Sequence, residues 1–95
     1  MISLTSQEII DRIGELASEL TPPSEIAVLL GIDPDRLRAE LSIKDSPARQ
    51  AYYRGKARTA NVLRKIELEF ARVGSPLAVQ LTGSYLRDMT ADEDF

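Results

Sequence analysis

The chain has 95 residues, of which 43% are hydrophobic and 28% charged, with a formal net charge of −3 and neither cysteine nor histidine. That length is one domain, and the missing residue types exclude a disulfide frame, a thiol nucleophile, a thiolate metal site and a Ser-His-Asp triad. With no glycine-rich phosphate motif and no run near the ~18 apolar residues of a membrane span, the expectation is a non-enzymatic protein without cofactor, metal or membrane partner.

The first stretch, MISLTSQEIIDR, lacks the basic start and apolar core of a signal peptide, which implies a cytoplasmic protein. Thr5 with Glu8 fits a capping box, and Leu4 with Ile9 fits the hydrophobic staple beside it. Ile9, Ile10, Ile13, Leu16, Ala17 and Leu20 then recur at helical spacing and predict a first helix. Thr21 and Pro22 stop that helix and start the next, with proline at its first position. Gly31 ends the second helix, and Asp33 with Pro34 opens the third. Ser46 with Pro47 opens a fourth, about 48 to 73, and Ser75 with Pro76 opens a fifth after Gly74. No segment alternates as a strand would. The expected fold class is all-α: an N-terminal tri-helical helix-turn-helix bundle (1–45), a long-helix hairpin (46–89) and a frayed acidic tail (90–95).

Residues 24 to 41, SEIAVLLGIDPDRLRAEL, have the spacing of a helix-turn-helix. Ala27 is small enough for a second helix to pack closely across the first, and Gly31 suits a left-handed turn. Ile26 and Leu30 supply the buried face, Ile32 plugs the turn and Leu37 anchors the following helix. The last core position falls on Leu41, one residue beyond the usual place at Glu40. A plain tri-helical bundle with a glycine-ended helix would need the same residues. Asp35, Arg36 and Ala39 face outward, with Arg38 at the flank. Both arginines could meet a guanine edge or a phosphate. Asp33 and Asp35 repel phosphate, although they also favour the positive end of their helix. Such a helix is a weak reader of sequence, better suited to low specificity or to a multivalent assembly.

Charge is unevenly spread. Residues 1 to 45 carry a net of −5, residues 46 to 72 a net of +5 and residues 73 to 95 a net of −3. The stretch ARQAYYRGKAR interleaves cations with Tyr52 and Tyr53, a composition suited to a nucleic-acid backbone. Arg54, Arg58, Lys65 and Arg72 share one face of the long helix. Beside them Ala48, Tyr52, Gly55, Thr59, Val62, Ile66, Phe70 and Val73 form a coiled-coil-like seam. The candidate phosphate-contacting set is Lys44, Arg49, Arg54, Lys56 and Arg58, added to groove contacts from Arg36 and Arg38. The candidate interface between copies of the chain is Tyr52, Gly55, Val62, Leu63, Ile66 and Phe70. A solvated basic face paired with acidic neighbours, and a seam packed inside one chain, are the plainer readings of the same residues.

SEIAVLLGIDPDRLRAEL followed by ARQAYYRGKARTANVLRKIELEFARVGSPLAVQLTGSYL resembles the small terminase subunits of tailed phages and prophages. In that family a helix-turn-helix precedes a long helix opening on a Tyr-Arg-Gly type motif, and a helical hairpin builds a ring. The resemblance spans about residues 21 to 89. It implies a homo-oligomer that binds double-stranded viral DNA and delivers it to a large terminase subunit, the packaging ATPase. The acidic third helix and the short tail depart from the family's pattern. Two other readings fit the residues: a small prophage transcriptional regulator, and an interaction adaptor with helix-turn-helix architecture that binds no DNA.

Overall fold

The computed structural model describes residues 3–74 and 77–95, with the side chains of 77–82 left aside. It is all-helical over these residues: α1 (Gln7–Ser18), α2 (Pro23–Leu30), α3 (Pro34–Leu41), α4 (Pro47–Val73) and α5 (Leu77–Ala91). The expected opening of α5 at Ser75 and Pro76 lies outside the described residues.

Helix boundaries follow the local chemistry with small shifts. The N-cap of α1 is Ser6, not Thr5, and no side chain bonds back to the helix there. The Thr5 hydroxyl is instead paired with that of Ser3 at 2.8 Å, which dissolves the expected capping box. At the other end Leu20 takes a left-handed conformation (φ 60). Its N–H bonds Ala17 O at 3.0 Å and the Thr21 N–H bonds Leu16 O at 3.0 Å, so α1 closes in a Schellman turn. A left-handed leucine costs about 1–2 kcal/mol, and the burial of its side chain offsets this. The first helical proline of α2 is Pro23, one residue after the expected Pro22. Gly31 (φ 68) ends α2 in a second Schellman turn, Ile32 N–H to Ala27 O at 2.8 Å, which drives the Ile32 side chain inward. Asp33 and Ser46 take the N-cap positions of α3 and α4 as their Asp-Pro and Ser-Pro pairs predict, and of the two only the Ser46 side chain bonds back to its helix. Buried Ser46 accepts from Arg49 N–H and donates to Glu40 Oε1, so Glu40 braces the next helix where a core residue was the common pattern.

One core gathers Leu4, Ile13, Leu16, Ile26, Ile32, Leu37, Leu41, Ala48, Tyr52 and Met89. The expected division at residues 45 and 46 cuts through it, because α1 packs principally along α4. The two helices run in the same direction, with Gly14 beside Ala51 and Ala17 and Ser18 beside Gly55. The Thr59 hydroxyl donates to Ser18 O and fixes the end of α1. Beyond Ala60 the seam leaves the core: Val62, Ile66 and Val73 are exposed, as is Leu68 on another face of the helix. At 27 residues α4 is about 40 Å long, and the molecule measures 51 × 21 × 19 Å. No described helix is long and apolar enough to cross a membrane.

Candidate nucleic-acid interface

α3 stands on the surface through Asp35 and Ala39, both exposed, with Arg36 half-buried beside them and Leu37 and Leu41 fully inside. This is the orientation its helical period dictates. Lys44 is exposed in the link to α4, as are Arg54 and Arg58 on α4. Among the described residues none of Arg36, Lys44, Arg54 and Arg58 has an ion-pair partner.

The other three candidate cations are engaged within the chain. Arg38 donates to Ser24 Oγ at 2.6 Å and lies 3.6 Å from Asp92 Oδ1 and 3.8 Å from Asp35 Oδ1. Arg49 donates to Leu41 O at 2.7 Å, with its guanidinium 5.1 Å from the centre of the Tyr53 ring. Lys56 reaches Glu93 Oε2 at 2.6 Å and Oε1 at 2.7 Å. The seven cations also do not share one surface. By the 100° helical step, Arg49 and Lys56 lie about 140–180° around α4 from Arg54 and Arg58. Arg54 and Arg58 border a groove between α1 and α4 together with Asp11 and Glu15. Arg49 and Lys56 face the end of the chain.

That end is the largest departure from expectation. Residues 90–95 are not a frayed tail: α5 runs to Ala91, and Asp92 and Glu93, the first two of the three acids after it, are docked. Asp92 accepts from Ser24 N–H at 2.6 Å and from the Ser24 hydroxyl at 2.8 Å. Glu93 accepts from Lys56 and from the Tyr52 phenol. Phe95 meets the rings of Tyr52 and Tyr53 edge-on, with centroids 6.2 and 6.5 Å away. Burial, then the Glu93 carboxylate, pushes the Tyr52 phenol far above its ordinary range, and burial does the same to Tyr53 more weakly. Composition alone did not reveal Ser24, Asp92 and Glu93, because their partners lie far away in sequence. The one signal was Phe95, an aromatic residue ending a run of acids.

The candidate interface between copies divides as well. Tyr52 and Gly55 are buried against the chain's own helices, so neither is available to a second copy. A methyl group on Gly55 would meet Gly14 O at 2.3 Å, so this glycine admits α1 and not a helix from outside. Leu63 is half-buried and packs on the core, and Phe70 is half-buried. Val62 and Ile66 stay open. No protein-family model, curated protein or solved structure matches this chain.

Proposed function

We propose that this chain is a non-enzymatic DNA-binding protein that acts as an oligomer, as its resemblance to small terminase subunits implies, with α2 and α3 as a helix-turn-helix. The observation that carries the reading is the α2–α3 corner. Gly31 reverses the chain in a Schellman turn, Ile32 plugs it, and α3 is left with an outward face of Asp35, Arg36 and Ala39. Arg36 and Lys44, both without an acid partner among the described residues, would supply phosphate or base-edge contact beside that helix. Asp35 on the same face limits sequence discrimination, so affinity would come from several copies on one duplex. The large terminase subunit is the partner that the resemblance implies.

The test is titration of a fluorescent duplex at low salt. Arg36→Glu with Lys44→Glu should weaken binding at least about tenfold, through two lost phosphate contacts and added repulsion. Arg54→Glu with Arg58→Glu, on the far side of α4, reports separately whether that face joins in. Unchanged affinity in the first pair would remove α3 from the interface. An adaptor is the second reading, and Val28 (74% exposed) and Leu29 (62%) beside Glu25 on α2 favour it. An adaptor should show no low-salt DNA affinity at all.

A further inference from the structure

The carboxylates of Asp92 and Glu93 occupy groups of the kind that take up a nucleic-acid backbone. Two donors and a cation converge on Asp92: the Ser24 N–H at 2.6 Å and the Ser24 hydroxyl at 2.8 Å bond to it, and the Arg38 guanidinium, which donates to Ser24 Oγ, lies 3.6 Å away. Ser24 lies in the first turn of α2, where the helix dipole favours an anion. One residue on, Glu93 binds Lys56 through both carboxylate oxygens. An amide, a hydroxyl and two cations are the donors that hold phosphodiester oxygens in protein–DNA complexes. Arg38 belongs to the proposed recognition helix itself.

We infer that Ser24, Arg38 and Lys56 form a backbone-phosphate contact surface for duplex DNA, which the chain's own Asp92 and Glu93 occupy in this conformation. The inference rests on the DNA-binding reading above and adds its regulation. DNA engages this surface only as residues 92–95 leave it, and each carboxylate is then exchanged for a phosphate of like charge. Binding is therefore weaker than the full set of cations would give, and the masked contacts are missing from its salt dependence.

The test compares wild type with Asp92→Asn/Glu93→Gln. These replacements keep acceptors for Ser24 and Tyr52 but remove the charges that hold Arg38 and Lys56, and circular dichroism checks that the fold is kept. Asp88→Asn/Asp94→Asn is the control, because it removes the same charge from two exposed acids without ion-pair partners among the described residues. Binding of a random-sequence duplex is measured between about 50 and about 200 mM salt. The double variant should bind at least about tenfold tighter at low salt, with a log–log salt slope steeper by about 1.8 for two added phosphate contacts. The control should change neither by a comparable amount. If wild type binds and the double variant matches it, or the control gains as much, the segment is only a strap and the inference is overturned while DNA binding stands. If no form binds, the DNA reading falls and the inference falls with it.

Discussion

A methyl group added to Gly55 would lie 2.3 Å from Gly14 O, 3.0 Å from Ser18 N and 3.2 Å from Ala17 Cβ. Two of those atoms are backbone, so no side chain can swing aside, and α1 would have to move off α4. Overpacking costs about 1–3 kcal/mol and more where backbone must move, as here, which outweighs the ~1 kcal/mol gained in helix propensity. At Gly14 the nearest atom to such a methyl is Ala51 O at 3.4 Å, close to ordinary contact. Gly55→Ala should therefore lower the urea midpoint strongly, while Gly14→Ala should leave stability unchanged or raise it by up to about 1 kcal/mol. Equal effects at the two glycines would contradict the α1–α4 packing. The contrast is informative because both residues are mid-helix glycines in sequence, and only the facing backbone separates them.

At the scale of elements, the end of the chain is held by a buried phenol as much as by ion pairs. Tyr52 is fully buried and donates to Glu93, and both burial and that carboxylate oppose its ionisation. In the unfolded chain Tyr52 ionises near pH 10, while the folded state keeps its proton to higher pH. Above about pH 10 the unfolded state thus binds fewer protons, and stability falls by up to about 1.4 kcal/mol per pH unit from this group. Below that pH the contribution is constant. Tyr52→Phe should be less stable at neutral pH, having lost the bond to Glu93, but its stability should fall less steeply between about pH 10 and 11.5. Parallel pH curves from urea denaturation would mean that Tyr52 does not resist ionisation. The sequence made the helices legible because proline, glycine and cap residues mark nearly every boundary, and the 3.6-residue period marks the buried faces of α1 to α3. It hid the pairing of Lys56 with Glu93 and of Arg38 with Asp92, since local composition cannot distinguish a solvated cation from one whose partner lies 37 or 54 residues away. It also placed Gly55 in the seam of the long helix, but did not show that the element packed there is α1.

Across the whole molecule, the outer half of α4 carries an apolar strip that is left partly exposed. Val62, Ile66 and Val73 lie within about 40° of one another around the helix, with exposures of 49%, 40% and 74%. Burying residues of this size is worth about 1.5–3 kcal/mol each when complete. Their spacing continues the seam whose first half, at Ala48, Tyr52 and Gly55, is buried inside the chain, so among the described residues the seam changes along its length: the inner half holds the core, and Val62, Ile66 and Val73 in the outer half would meet the second copy proposed above. Light scattering at micromolar concentration and moderate salt should therefore give a mass of at least twice 10.5 kDa. Val62→Glu with Ile66→Glu should return the mass to 10.5 kDa with unchanged helicity, because both side chains already face solvent within one chain. Leu63 would be a poor choice for this test, since it packs on the core and its loss would confound folding with assembly. A wild-type monomer would remove the multivalency on which an α3 without net positive charge would depend for useful affinity. The exposed Val28 and Leu29 would then make the adaptor the stronger reading.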